Sequence, residues 1–134
     1  MATLTASAAQ AGAQPLACNG FNVRNVQYAL SASLSAGDVI QMCKVPAGAK
    51  ICGGRVAFKG NANTCTIAVG DGGDVDRYLA SVSASATNHW FDTSIQDYSF
   101  SAEDTIDIEV GSITAATATG VFELMIMYTW NQEF

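Results

Sequence analysis

Val121-Phe-Glu-Leu-Met-Ile-Met-Tyr-Thr-Trp130, near the end of the chain, is apolar on both sides of an extended strand. Side chains alternate along a strand, so Phe122, Leu124, Ile126, Tyr128 and Trp130 share one face. Val121, Met125 and Met127 share the other, interrupted by Glu123 and followed by Thr129. An antiparallel strand with one solvated side would be polar there. The second side therefore needs cover, from another sheet, a folded-over arm or a second copy of the chain. Met125 and Met127 are the residues expected at an oligomer interface.

Working outward, the rest of the chain falls into short β-rich runs separated by Gly, Pro, Asn and Asp. Strands are expected at Phe21–Leu30, Asp38–Lys44, Arg55–Lys59, Thr64–Val69, Tyr78–Ser83, Tyr98–Ser101, Thr105–Val110 and Val121–Trp130, with a short piece at His89–Asp92. No helical periodicity competes with this pattern. About eight strands in one domain predict an all-β, antiparallel jelly-roll sandwich. Residues 1–20, rich in Ala, Ser, Thr and Gln, read as an extended N-terminal arm, and 21–134 as the sandwich. Ser35-Ala-Gly-Asp-Val-Ile40 and Ser101-Ala-Glu-Asp-Thr-Ile106 echo one another: each is a turn whose Asp can bind nearby backbone N–H groups before an Ile opens the buried face.

A chain of 134 residues and 13.9 kDa is the size of one domain, with about 6,700 Å² of surface expected once folded. Only 13% of residues are charged while 49% are apolar, and mean hydropathy is +0.20. Such a surface is expected to be partly covered in its working state. The net charge of −6 and a pI near 4.4 exclude a phosphate-neutralising nucleic-acid binder, since the six Lys and Arg are scattered. No run has the length of a membrane span. The first twenty residues lack the basic and apolar segments of a signal peptide, so cytoplasmic synthesis is expected.

Four cysteines, Cys18, Cys43, Cys52 and Cys65, form no Cys-x-x-Cys, and His89 is the single histidine. In an oxidising compartment they could pair in three ways. In a reducing one they act as small buried apolar side chains, which is the expected state.

The best candidate for a ligand site is the loop Gly70-Asp-Gly-Gly-Asp-Val-Asp-Arg77. Asp71, Asp74 and Asp76 could offer calcium several oxygens, and glycine would let the loop fold back. The spacing fits neither an EF-hand nor a calcium β-roll. The expected reading is a turn whose Asp side chains cap backbone N–H groups, with Arg77 pairing one of them. Asp107 and Glu109 could form an acid–base pair, but strict alternation makes them the solvated side of a strand. His89 lacks a motif-level partner. Trp90 and Phe91 could stack on a sugar, although core packing is the usual fate of such a pair. With no catalytic set and no phosphate or dinucleotide fingerprint, no enzyme activity and no cofactor are expected.

Several phrases together resemble a family of small virion proteins of tailed bacteriophages. They are Leu34-Ser-Ala-Gly-Asp-Val-Ile40, Val45-Pro-Ala-Gly-Ala-Lys-Ile51, Val69-Gly-Asp-Gly-Gly-Asp-Val-Asp-Arg-Tyr-Leu79, Phe100-Ser-Ala-Glu-Asp-Thr-Ile106, and Ala118-Thr-Gly leading to Met127-Tyr-Thr129. The resemblance runs from about Leu34 to Trp130 and leaves the arm unmatched. It implies a head decoration (cement) protein with a jelly-roll fold, bound as a homotrimer to the major capsid protein on the head surface. Capsid stabilisation by mass action, and attachment through the arm, follow from that implication. The rival expectation is a carbohydrate- or receptor-binding jelly roll of a tail fibre or adhesin, using Trp90, Phe91 and the acidic loop.

Overall fold

Strand β2 (Gly20–Ala29), strand β4 (Lys50–Gly60) and strand β9 (Gly120–Trp130) lie side by side with β9 in the middle, and β7 (His89–Asp92) closes the far edge. The second sheet has five strands: β1 (Thr3–Thr5), β3 (Val39–Val45), β8 (Asp104–Ile113), β5 (Cys65–Asp71) and β6 (Leu79–Ser83), in that spatial order. This computed structural model describes residues 3–6, 9–10, 20–30, 33–60, 65–84, 88–92, 98–113 and 120–130. Within them the fold is all-β, two sheets of nine strands, antiparallel throughout except that β1 runs parallel to β3.

The alternation in β9 decides the layering. Phe122, Leu124, Ile126 and Tyr128 are fully buried, and their neighbours on β4 (Phe58, Val56, Gly54 and Ile51) stand opposite them. From the other sheet, Ile40, Ile67, Val69, Ile106, Ile108 and Val110 complete a single core between the layers. Phe58 and Phe122 meet with ring centroids 4.5 Å apart. The folded chain exposes 6626 Å², in line with the size scaling for a monomer.

Several elements depart from the sequence expectation. Tyr98–Ser101 is not a strand; among the described residues a lone bridge between Lys50 and Ser99 is its only ladder contact. Strand β4 begins five residues earlier than Arg55, because a bulge between Ile51 and Gly53 absorbs the register change at its start. Thr3–Thr5, inside the expected arm, pairs with Val39–Gln41, and Ala6 and Ala9 are buried. Residues 11–19 of that arm, and Cys18 with them, lie outside the described residues. Cys43, Cys52 and Cys65 are free thiols. Cys43 and Cys65 are buried, and burial pushes the Cys43 thiol up to about 12.

Candidate docking interface

Strand β2 carries its polarity inside out at one end. Its register against β9 sets Asn22 opposite Tyr128 and Arg24 opposite Ile126, facing inward, and sends Phe21 and Val23 outward. Val26 and Tyr28, on the inward face, pair with Leu124 and Phe122 and hold the strand in that register. Phe21 is therefore 57% exposed and Val23 50% exposed, while Asn22 is buried. The Asn22 side-chain amide donates to the Gly20 carbonyl at 3.2 Å. Among the described residues the buried Nη1 of Arg24 has no hydrogen-bond acceptor.

Phe21 and Val23 join Met125 and Met127, since Val23 stands opposite Met127 and Asn25 opposite Met125. On the other flank of β9, Gly53 faces Met127 and Arg55 faces Met125. A side chain at Gly53 would meet the Phe91 carbonyl at 2.8 Å, so the glycine lets β7 lie close against β4 beside Met127. Trp90 of β7, opposite Arg55, ends the row and is 64% exposed. Among the described residues, three of the four exposed large apolar ones, Phe21, Val23 and Trp90, thus share the outer side of one sheet. Met125 and Met127 are half-buried between them.

A charged network crosses this apolar face. Arg55 pairs with Glu123, donates through Nη1 to Asn88 Oδ1 at 2.8 Å, and lies 5.8 Å from the Trp90 ring centroid. Gln27 Nε2 donates to the second Glu123 oxygen at 3.0 Å. Both bonds, that from Arg55 first, hold the Glu123 carboxyl below the usual carboxylate range. The residue that interrupts the apolar side of β9 is thereby neutralised within the chain.

The other sequence candidates are placed separately. Asp71 is fully buried and is spent on holding its own loop. One oxygen accepts the N–H groups of Gly73 and Asp74 at 3.0 and 3.1 Å; the other accepts Arg77 Nε at 2.7 Å and the Tyr78 hydroxyl at 2.9 Å. Burial and that bond push the Tyr78 phenol up, and Arg77 stacks 3.7 Å from the Tyr98 ring centroid. Asp74 and Asp76 stay exposed and bind each other, which lowers the first carboxyl and raises the second. Among the described residues no group of three or more His, Cys, Asp and Glu is arranged to hold a metal ion.

Asp107 corrects the expectation of a solvated pair with Glu109: it is 4% exposed, and Glu109 is half-buried. Gly70 stands directly opposite Asp107, and a side chain there would meet the Val75 carbonyl at 2.5 Å. The acidic loop crosses the sheet at that glycine and shields the Asp107 carboxyl. Burial pushes that group up to about 7, against a bond from the Thr105 hydroxyl at 2.7 Å that works the other way. His89 Nε2 lies 2.7 Å from the Ser83 carbonyl, tying the edge of one sheet to the edge of the other. Trp90 and Phe91 do not act as a pair. Phe91 is buried in the space a side chain at Gly54 would need, whereas Trp90 points away from the core.

No protein-family model and no curated protein matches the sequence. Solved structures do match the fold. A chain in the capsid of Ralstonia phage GP4 is similar over 98% of this chain and 99% of its own, with a TM-score of 0.76 at 16% identity. A chain of the cyanophage Pam1 capsid asymmetric unit is similar over 91% and 94%, with a TM-score of 0.68 at 21% identity. A chain of the acidic stable capsid of Helicobacter pylori bacteriophage KHP30 follows over 84% and 94%, with a TM-score of 0.56 at 17% identity. At these identities the likeness establishes a shared fold.

Proposed function

We propose that this protein is a non-enzymatic structural protein of a tailed-phage virion, a decoration (cement) protein bound as a homotrimer to the major capsid protein on the head surface. The observation that carries the reading is the end-to-end likeness to a chain of the GP4 phage capsid, over 98% of one chain and 99% of the other. Two further capsid chains with the same fold support it. The fold is read as a jelly roll. From β2 onward every connection but β5–β6 changes sheet, giving the orders 2-9-4-7 and 3-8-5-6 that two interleaved Greek keys produce.

The role is mechanical. Each oligomer bridges neighbouring shell subunits, and binding the mature lattice in preference to its precursor stabilises that lattice by mass action. Residues 1–20 serve as the arm toward the shell, with β1 resting on the β3 edge through three residue pairs. Synthesis in the bacterial host cytoplasm fits the free thiols at Cys43, Cys52 and Cys65. Immunogold electron microscopy of purified particles, with antibody to this chain, tests the reading: label spread over the head is the expected result. Label confined to the tail, or absent, would refute it.

One observation favours a second reading, a glycan- or receptor-binding module of a tail fibre or adhesin. Trp90 is 64% exposed and has Arg55 and Asn88 beside it, a platform on which a sugar ring could stack. Specific glycan-array binding that is lost in Trp90→Ala would move the assignment there.

A further inference from the structure

We infer that the outer face of the β2-β9-β4-β7 sheet is the contact between copies of this chain, with Phe21, Val23, Met125, Met127 and Trp90 as its apolar anchors. The inference rests on the virion reading for its setting, but its argument comes from the face itself.

Exposure on this face is concentrated where the chain has turned polarity inside out. Phe21 and Val23 face solvent while Asn22 is buried in their place, an arrangement that leaves apolar surface uncovered in a lone chain. Among the described residues the opposite sheet presents nothing comparable. Its outward positions include Gln41, Thr105, Asp107 and Glu109.

Charge then selects the occupant. The chain carries −6 overall, so two copies repel wherever acidic surface meets acidic surface. On this face the strands set Lys50, Arg55 and Lys59 against Glu123 and Asp92, so the net charge is only +1. Arg55 and Glu123 are already paired within one chain, so neither asks a partner for a countercharge. A partner chosen for its complementarity to an acidic protein would be basic and would seek the acidic surface instead. A nearly neutral, apolar face on an acidic molecule is the surface on which identical copies can approach.

Size agrees. Four strands at their usual spacing, the longer ones 10 and 11 residues, span roughly 500–600 Å². Two such faces in contact bury about 1,000 Å² or more, the threshold for a specific interface. Met125 and Met127 supply adaptable packing at the centre, and the aromatic rings of Phe21 and Trp90 supply anchors at the two flanks.

The test is the mass of the intact chain in solution, by light scattering and sedimentation across a concentration series. The wild type is expected at a multiple of 13.9 kDa. Val23→Glu and Met125→Glu place an unpaired carboxylate in the contact and are expected to raise the subunit dissociation constant by at least about 30-fold. Val23 is half exposed in the single chain, so its variant should keep its circular-dichroism spectrum and melting transition as a folded monomer. Ala80→Glu, on the exposed side of β6, should leave the oligomer unchanged. A monomeric wild type, or Val23→Glu and Met125→Glu proteins that still assemble, would overturn the inference. Binding to phage heads is scored in parallel. A monomeric chain that still decorates heads removes this contact and leaves the virion role standing. An oligomer that depends on Val23 but never binds heads does the reverse.

Discussion

Asp107→Asn should make the protein more stable at alkaline pH and leave it almost unchanged in acid. The carboxyl lies under the acidic loop at 4% exposure, with Thr105 as its hydrogen-bond donor and Asp104 and Asp71 as like-charged neighbours. Desolvation by that cover lifts it from 3.8 to about 7. Below about pH 4 the folded and unfolded chains both hold the proton, and the group adds no pH dependence. Between about pH 4 and pH 7 the unfolded chain has ionised while the folded one has not. Stability then falls by about 1.4 kcal/mol for each unit of rising pH. Above about pH 7 the full cost of a buried carboxylate is present, about 4 kcal/mol if the entire shift is expressed. Asparagine keeps an oxygen to accept the Thr105 hydroxyl and removes the charge. In urea titrations followed by tryptophan fluorescence, the variant's midpoint at pH 9 should exceed the parent's by about 2 M, given a typical slope near 2 kcal/mol per molar. At pH 4 the two should agree within about 1 kcal/mol, the size of an ordinary hydrogen-bond change. Parallel stability profiles from pH 4 to pH 9 would refute the argument, because a buried ionising group cannot leave the slope untouched.

Three further expectations concern packing and access. Phe122→Ala removes a fully buried ring packed at a tilt against Phe58, and equilibrium unfolding should register a loss of about 3–5 kcal/mol. Gly70→Ala drives a methyl into the backbone of the loop above it, so it should cost roughly 1–3 kcal/mol and lower the Asp107 pKa, read by carboxyl NMR titration, as water enters. Among Cys43, Cys52 and Cys65, a thiol reagent at pH 8 should modify Cys52 first. Cys43 is fully buried with its thiol pushed up to about 12, and Cys65 is 1% exposed with its thiol also raised. Rapid labelling of Cys43 in the folded protein would count against the core placement of β3.

How legible the molecule was varies from element to element. The strict alternation of Thr105–Val110 placed Ile106, Ile108 and Val110 in the core, where each is fully buried. The same alternation in β9 identified both its buried face and the Met125–Met127 side that lies half-covered. The Asp residues of the two echoed turns accept backbone N–H groups: Asp38 from Ser35 at 2.9 Å and Asp104 from Thr105 at 2.7 Å. These features are local, since a strand's period and a turn's side chain act within a few residues. Tyr98–Ser101 misled because its apolar character serves a ring contact between Tyr98 and Phe100, with centroids 5.3 Å apart, and not a ladder. Thr3–Thr5 was missed because three residues carry too little pattern, and the edge of β3 supplies the template instead.

The candidate interface was legible only in part. Met125 and Met127 could be named from β9 alone, but Phe21 and Val23 carry no such mark. Their outward placement follows from Val26 and Tyr28 locking the register against Leu124 and Phe122. A signal was present in the alternation of β2, where Asn22 and Arg24 share a side with Val26 and Tyr28.

By itself the sequence determined that the chain is all-β, where most strands run and which residues of β8 and β9 face inward, because side-chain alternation is a property of the extended backbone. Tertiary structure alone decided that Phe21, Val23, Met125, Met127 and Trp90 share one outer face, that Glu123 is neutralised on it by Arg55, and that Asp107 is buried beneath a loop. Those outcomes depend on strand order, register and loop crossing, which are set by pairings between residues far apart in the chain.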